Sequence, residues 1–295
     1  MKKLLAMLLA LVMVLALTAC GAADEAADDA AAADDAAEFV PVTEGCLTMA
    51  TSADFAPYEF HVLNEEGQDE IVGFDIALGQ AIADKLGLEL VIKDMDFDSL
   101  IMEVQNGSVD ISIAGFSVDP ERDEVIDFSD VYYTGGQSFV CHTDNANSFA
   151  SLEDANKAEY QIGAQIGSIQ AGLAKEHTPN ADIVELAKVT NIIAEVVSGK
   201  LDGAFIEKVV AETYAKNYPE LCVVLDVPYE AEGSVVGVNK NNPALLAAVN
   251  LAIASALEDG SMSQFVADAN ELSTGEKYEG LLNEEGEIPT ETIAE

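Results

Sequence analysis

Two kinds of apolar pattern alternate along residues 45–260. Short apolar runs, which are typical of buried strands, occur at 47–51, 88–92, 160–164 and 183–186. Between them, apolar residues recur every three or four positions, which predicts amphipathic helices over 73–87 and 170–176 and from Pro243 to near Gly260. The expected inward stripes are Ile76, Leu78, Ile82 and Leu86 in the first helix, and Leu246, Val249, Ile253 and Leu257 in the last. This alternation predicts an α/β fold in which parallel sheets are covered by helices.

An internal similarity suggests two lobes of related build. Residues 101–113 and 193–205 share Ile, Glu, Val, Gly and Asp at matching places. Each copy predicts a helix end, a glycine stop, a turn with Asp110 or Asp202, and a buried strand. Chance similarity of common residues is the alternative.

The chain is strongly acidic, with 54 acidic and 13 basic residues and a net charge of −41. Such a balance excludes a nucleic-acid binder, whereas an apolar content of 49% excludes a disordered acidic chain. Residues 21–44 carry −8 and residues 276–295 carry −6, while 45–275 keep −29. This field favours a zwitterionic or cationic ligand over a free anion.

One arginine, Arg122, stands in this acidic chain. It forms either a surface ion pair or a binding site for one anionic group. The two similar strands end near Gly115 and Glu207, and ligands of open α/β sheets bind beyond such strand ends. Arg122 and Glu207 would then face each other across a cleft between the lobes, a pair that complements a zwitterion.

The first 19 residues predict an export signal. Lys2 and Lys3 precede an apolar run at 4–17. This segment ends in Leu-Thr-Ala and is followed by Cys20. The pattern resembles a bacterial lipobox, which implies cleavage before Cys20 and lipidation of its thiol. A plain signal peptide is the alternative. Residues 20–44, nearly all Ala, Asp and Glu, predict a solvated tether.

The remaining cysteines, Cys46, Cys141 and Cys222, form no metal-binding or nucleophile motif with the scattered histidines. We therefore expect no metal and no cofactor. A disulfide between two of the three is compatible with export, but their spacing does not select a pair.

Several segments of the body resemble family 3 extracellular solute-binding proteins, the polar amino-acid receptors of ABC importers. The strongest run is 109–122, which continues into 126–133. The other matching segments are 50–60, 72–76, 96–101, 162–168 and 199–205. The resemblance implies a two-lobe periplasmic-binding-protein-like fold of type II, in which each lobe is a mostly parallel sheet covered by helices and two strands form the hinge.

The resemblance also implies a division of the chain. We expect a lipoprotein signal peptide at 1–19, a lipidated Cys20 and acidic tether at 20–44, lobe 1 at 45–138 plus 234–275, lobe 2 at 139–233, and an acidic tail at 276–295. The two hinge crossings are expected near 137–141 and 233–238.

Site roles follow from the same resemblance. Arg122 would hold the ligand α-carboxylate, and Ser117 with the Gly115 backbone would bind the α-carboxylate and α-ammonium between them. Phe55 and Phe97 would sandwich the ligand side chain. The full set of expected ligand-binding residues is Phe55, Phe97, Ala114, Gly115, Ser117, Arg122, Gly167, Ser168, Ile169 and Glu207.

Some of these residues have a plainer interpretation. Phe55 and Phe97 could be core aromatics, and Ser117 could be a turn serine. Glu207 stands where the family usually has an Asp that binds the α-ammonium. It could instead be an acid that stabilises a helix N-terminus. The turn Gly167-Ser168-Ile169 would donate to the carboxylate from the second lobe. Ser52 stands where many members have Asp, which removes one common partner for a cationic side chain, although Asp54, Asp96, Asp98 and Glu59 are nearby.

The predicted function is capture of a polar amino acid outside the cell and delivery to a membrane permease, by a monomer anchored through lipid on Cys20. A glutamine-like ligand is favoured, and cystine, arginine and histidine stay open. The chain is expected not to be an enzyme. Two alternatives are an exported dehydratase on the same scaffold, with Glu207 as acid or base, and a ligand-sensing module.

Overall fold

The computed structural model describes residues 39–64, 66–230 and 233–274. The predicted signal peptide, Cys20, most of the tether and the C-terminal tail lie outside these residues. The strands are β1 (Cys46–Thr51), β2 (Asp54–Phe55), β3 (Glu59–Leu63), β4 (Asp69–Val72), β5 (Glu89–Asp94), β6 (Ile111–Ser112), β7 (Asp127–Phe128), β8 (Gln137–His142), β9 (Gln161–Gln165), β10 (Asp182–Leu186), β11 (Gly203–Glu207), β12 (Leu221–Val227) and β13 (Gly237–Val238).

Helices separate most of these strands. They are α1 (Phe74–Leu86), α2 (Leu100–Asn106), α3 (Pro120–Asp123), α4 (Leu152–Ala155), α5 (Ile169–His177), α6 (Val189–Val197), α7 (Lys208–Asn217), α8 (Pro243–Glu258) and α9 (Ser261–Ser273), with 3₁₀ turns at Phe97–Ser99 and Thr143–Ser148. Each predicted strand and helix named above is present, with bounds that differ by one or two residues.

Two five-stranded sheets of matching order form the body. The first has the order β5-β1-β6-β13-β7 and the second β10-β9-β11-β8-β12. In each, three neighbouring strands are parallel and the fourth runs antiparallel to the third. The fold is therefore the predicted one: a pair of mostly parallel sheets with helices packed on them.

The internal similarity corresponds to equivalent structure. Residues 101–113 contain α2 and β6, and residues 193–205 contain the end of α6 and the start of β11, so both copies supply the third strand of a sheet. Gly107 and Gly199 adopt φ of 70° and 73°, the left-handed conformation that ends a helix without a Cβ clash. Asp110 accepts the Thr48 amide at 2.7 Å, and Asp202 accepts the Gln161 amide at 2.8 Å.

The inward stripe predicted for α8 is confirmed in part, because Val249 and Ile253 are buried and Leu246 packs against the hydrophobic core. Its buried residues are Leu245, Val249, Ala252, Ile253 and Ala256. Leu257, predicted to face inward, is 52% exposed. This helix is apolar on nearly every side, so its periodicity alone could not select the face that packs on α1 and α9.

Two crossing segments join the sheets, one between β7 and β8 and one between β12 and β13. They run antiparallel beside each other: the Tyr132 amide donates to the Ser234 carbonyl at 3.0 Å, and the Ser234 amide to the Tyr133 carbonyl at 2.7 Å. The first crossing lies before the predicted 137–141, because those residues already belong to β8 in the second sheet.

The N-terminal segment joins the folded body earlier than expected. Val42, assigned by sequence to the tether, donates its amide to Asp110 at 2.8 Å, and Phe39 packs against the core. In the part of the chain that the structure describes, no single helix is long and apolar enough to cross a membrane; α8 and α9 meet that length and composition criterion only together, bent by 80°.

Candidate ligand-binding cleft

A cavity lies beyond the strand ends of the two sheets. Its lining residues are Ser52, Asp54, Phe55, Glu59, Phe97, Ala114, Gly115, Ser117, Arg122, Gln165, Ile169 and Gln170. Seven of the ten expected ligand-binding residues are among them. Gly167 and Ser168 line the adjoining groove, which also contains Arg122 and Ile169, whereas Glu207 lies elsewhere.

A short helix positions Arg122. Pro120 occupies the first turn of α3, and the Asp119 carboxylate caps it by accepting the Glu121 amide at 2.9 Å and the Arg122 amide at 3.3 Å. Proline pre-sets the helical φ, and aspartate is a favoured cap, so Asp119-Pro120 starts this turn by local chemistry alone.

The guanidinium of Arg122 joins the two lobes. Nη1 donates to the Ser117 carbonyl at 3.3 Å in the first lobe, and Nη2 donates to the Gly167 carbonyl at 2.9 Å in the second. The group also lies 5.5 Å from the Phe97 ring and 5.7 Å from the Phe116 ring. Burial lowers the pKa of Arg122, although an arginine stays protonated at neutral pH. It is thus a fixed positive charge in the cleft, not a surface ion pair.

Two phenylalanine rings line the cavity, and each is packed against a second aromatic ring behind it. The Phe55 ring lies 5.3 Å from Tyr58, and the Phe97 ring lies 5.3 Å from Phe116. Phe55 is 9% exposed and Phe97 is half-buried. Both rings therefore contribute to the core and to the cavity, which unites the two interpretations that the sequence left open.

Gly115 is required by this packing. Its φ is +56°, and a Cβ there would meet the Phe55 ring at 3.0 Å. Its amide donates to Asp75 Oδ2 at 2.9 Å, and Tyr132 donates to the same oxygen at 2.9 Å. The predicted contribution of the Gly115 backbone to ligand binding would accordingly come from atoms other than this amide hydrogen.

Buried carboxyl groups on the first lobe are the strongest electrostatic feature of the cavity. Glu59 is fully buried, and its carboxyl group faces the equally buried carboxyl group of Asp75, with which it can share a proton. Burial, and next the neighbouring Asp75, raise the pKa of Glu59 well above its usual range. Burial also raises the pKa of Asp54 to about 6, against the opposing effect of Lys188.

Asp54 connects the lobes as well. Its Oδ2 accepts the amide of Val189 at the start of α6, and Ser52 donates to its Oδ1 at 3.1 Å. The sequence had identified Asp54 and Glu59 as nearby acids without assigning them to the site. Alternation could not have placed both on the cavity, because the β2–β3 register pairs Phe55 with Glu59 and Asp54 with Phe60 and so assigns the two acids to opposite faces of the ladder.

On the second lobe, polar groups are largely used within the lobe. The Ser168 hydroxyl donates to the Gln165 carbonyl at 2.8 Å and accepts the Ala171 amide at 3.2 Å, so it caps α5. Gln170 donates to Gln137 at 2.9 Å. Sequence reasoning missed Gln165 and Gln170, although both flank the turn that it had selected.

Glu207 is the predicted site residue that the structure places outside the cavity. Its Oε2 accepts the Val210 amide at 3.0 Å, which caps α7, and its Oε1 accepts the Gly136 amide at 3.3 Å. Burial raises its pKa to about 7. These amides draw the carboxylate toward its own helix and the first crossing, as the helix N-terminal interpretation expects. A role toward a ligand ammonium stays a prediction.

Two related lobes, a double crossing and a cavity that both lobes line define the class of a two-lobed solute-binding protein. The model of the bacterial extracellular solute-binding proteins, family 3, matches residues 47–268, and the chain belongs to that family.

Individual relatives agree with this assignment. The arginine-binding extracellular protein ArtP of Bacillus subtilis (strain 168) is 38% identical over 200 residues, which are 66% of this chain and 75% of ArtP. The amino acid ABC transporter substrate-binding protein AbpA of Streptococcus pneumoniae, solved bound to L-arginine, superposes with a TM-score of 0.76 at 34% identity, covering 79% of this chain and 97% of AbpA. Cyclohexadienyl dehydratase of Pseudomonas aeruginosa is more distant, 26% identical over 180 residues, 61% of this chain and 66% of that enzyme.

The predicted family, fold and function as an extracytoplasmic amino-acid-binding receptor of an ABC importer are confirmed at this level. The similarity to binding proteins also confirms a non-enzymatic role.

Proposed function

We propose that this chain captures arginine, or a closely similar cationic amino acid, and delivers it to the permease of an ABC importer. The observation that carries the proposal is the composition of one cavity: Arg122 and the buried carboxyl groups of Asp54 and Glu59 line the same space. A ligand with a carboxylate for Arg122 and a cationic group for Asp54 and Glu59 complements both kinds of charge in the cavity.

Glu59 is central to the choice of arginine over glutamine. Glu59 and Asp75 are two buried carboxyl groups beside each other, and burial together with their mutual repulsion disfavours the ionised form of Glu59 unless a ligand supplies a positive charge. A guanidinium supplies several donors and a positive charge, whereas a side-chain amide supplies two donors and no charge. Arginine-binding relatives support the same choice, since ArtP and the L-arginine complex of AbpA are both similar to this chain.

The aromatic rings fit the same ligand. Phe55 and Phe97 line the cavity, and a guanidinium is planar and stacks on aromatic faces. Arg122 would bind the α-carboxylate, since its planar fork matches two carboxylate oxygens. Its bond to the Gly167 carbonyl and the Val189–Asp54 bond both join the lobes, so closure and ligand capture involve the same side chains.

We further propose that Cys20 carries the lipid that holds the protein at the membrane, and that the protein works as a monomer. The order of charged, apolar and small residues before Cys20 supports the first proposal. Metabolic labelling with a fatty-acid analogue should mark the wild-type chain and leave the Cys20→Ser variant unmarked.

A ligand panel tests the choice of amino acid. Arginine, lysine, histidine, glutamine and cystine are titrated into the purified chain by calorimetry, and melting is followed at each saturating concentration. A ligand at a hundred times its Kd adds about 2.7 kcal/mol to the free energy of unfolding. We expect the tightest binding for arginine; tighter binding of glutamine would overturn the proposal.

Glu59→Gln isolates the decisive carboxyl group. We expect it to weaken arginine binding by about 2 kcal/mol, roughly thirtyfold in Kd, and to change glutamine binding by less than about threefold. Glu70→Gln, an exposed acid on the same small sheet, is the matched control and should change neither. If the Glu59→Gln variant lost equal affinity for arginine and for glutamine, Glu59 would not distinguish a charged ligand side chain from a neutral one.

A further inference from the structure

Two cysteines that the sequence could not pair lie opposite each other in the second lobe. Cys141 is in β8 and Cys222 in β12, and they are direct partners in the antiparallel ladder. Two positions along, the Thr143 amide donates to the Glu220 carbonyl at 2.7 Å, which makes the Cys141–Cys222 position a hydrogen-bonded pair as well. Cα atoms of such pairs are about 5.5 Å apart, within the usual range for disulfides.

The sulfur atoms already face each other. They lie 3.7 Å apart, and the Cys222 thiol is 3.4 Å from the Cys141 carbonyl. Both side chains point to the same face of the sheet, where they pack with Phe139, Phe149 and Phe205. Closing the gap to the roughly 2 Å of a disulfide needs side-chain rotation and no change of strand register.

We propose that Cys141 and Cys222 form an intramolecular disulfide in the exported protein, and that Cys46 stays a free thiol. An extracytoplasmic location supplies the compartment in which disulfides persist. Cys46 lies at the start of β1 in the other sheet, remote from this pair in the topology. Within the described residues, no group of three or more His, Cys, Asp or Glu could hold a metal ion.

The oxidant is an external disulfide, such as oxidised glutathione or a disulfide oxidoreductase. Cys222 is partly exposed on the edge strand β12, so its thiolate can attack the external disulfide and release one thiol. The Cys141 thiolate then attacks the sulfur of Cys222 and releases the second thiol. Two protons and two electrons leave the protein, and the external disulfide is reduced to two thiols.

Cys141 sets the rate of this exchange. It is fully buried, and burial, with a contribution from Cys222, raises its pKa to about 12. Thiolate is the reacting form, so the second step should be slow at neutral pH and faster at higher pH.

A disulfide here would fasten the edge of the second sheet at the end of the β8–β12 ladder that lies away from the hinge, since the crossings adjoin Gln137 and Val227. β8 follows the first crossing and β12 precedes the second, so the bond would close a loop that contains most of the second lobe. Long closed loops restrict the unfolded chain most. Neither cysteine lines the cavity, so ligand affinity should be unchanged.

The test uses the exported full chain, denatured without reductant in the presence of N-ethylmaleimide and digested for mass spectrometry. We expect one cross-linked peptide pair that joins Cys141 to Cys222, with Cys46 alkylated. If Cys141 and Cys222 are both alkylated even after prolonged incubation with oxidised glutathione, or if Cys46 forms the link, the proposal is wrong. This readout needs no ligand and is independent of the proposed function.

Melting with and without reductant gives a second measurement. Reduction should lower the melting temperature of the wild-type chain by about 5–15 °C. Cys46→Ser should keep that sensitivity, whereas the double variant Cys141→Ser/Cys222→Ser should lose it and still bind the amino acid within about twofold of wild type. If reductant did not change the melting temperature of the wild-type chain, the Cys141–Cys222 disulfide would be contradicted, even if the double variant failed to fold.

Discussion

The two walls of the cleft differ in chemistry although the sheets behind them have the same strand order. The first lobe contributes charged and aromatic side chains: Asp54, Phe55, Glu59, Phe97 and Arg122. The second contributes neutral ones: Gln165, Ile169 and Gln170.

The polar groups of the second wall are also largely satisfied within the protein. Gln165 donates to the Ala187 carbonyl at 3.0 Å and Gln170 to Gln137 at 2.9 Å, whereas Glu59 on the first wall faces another buried carboxyl group, that of Asp75. Shared topology thus fixes where the walls meet, and the residues beyond the strand ends decide what each wall can bind. We infer that the first lobe selects the ligand and the second closes over it.

Removal of Arg122 should have the largest effect on ligand affinity and so gives the strongest test of the difference between the two walls. Arg122→Ala should weaken binding of the preferred amino acid by about 3 kcal/mol or more, at least a hundredfold in Kd, because the ligand carboxylate loses its charged partner. The bond to the Gly167 carbonyl is lost with it. Titration calorimetry gives the Kd directly.

Arg122→Lys is the control for this experiment. It keeps the charge but not the planar fork, so its affinity should lie between those of wild type and Arg122→Ala. Undiminished binding by Arg122→Ala would mean that the carboxylate is held elsewhere.

The acidic residues of the first lobe predict a pH dependence of intermediate size. Burial raises the pKa of both Asp54 and Asp75 to about 6. Such a carboxyl group binds its proton more tightly in the folded chain than in the unfolded one. Its contribution to the free energy of unfolding of the ligand-free chain is therefore present below about pH 4 and lost as the pH rises through 6.

Bound arginine should oppose this loss of stability at higher pH, because its cationic side chain stabilises the ionised carboxylates. Its affinity should rise between about pH 5 and 7, by up to roughly tenfold per pH unit for each proton released. Glutamine is the internal control, because it carries no side-chain charge. Parallel Kd profiles for the two ligands would indicate that the carboxyl groups do not sense the ligand charge.

A change in the second wall should have the smallest effect. Gln170→Ala removes a neutral side chain that already bonds Gln137 at 2.9 Å, and we expect a loss of about 1 kcal/mol, roughly fivefold in Kd. The same titration measures it. A loss as large as that of Arg122→Ala would overturn the inference that selection resides in the first lobe.

The sequence anticipated most of the fold and of the first wall. Periodicity identified the helices and central strands because their burial is regular, and Asp119-Pro120-Glu121-Arg122 carries its own helix start. Leu257 of α8 and the first hinge crossing were predicted wrongly, because α8 is apolar on nearly every side and because strand pairing is not encoded locally.

Glu207 and Glu59 show the limit most clearly. Both are acids beside apolar residues, and the sequence assigned the first to the ligand and left the second unassigned. Only the packed structure draws Glu207 to the amides of Val210 and Gly136 and buries Glu59 against the carboxyl group of Asp75.

The sequence by itself determined the α/β class and the duplicated lobe and drew attention to Arg122, because periodicity, internal similarity and a single arginine are all visible along one chain. Tertiary structure decided which acids face the cavity and that Cys141 lies against Cys222. These features depend on strand register and on packing between distant segments, and neither is set until the sheets assemble.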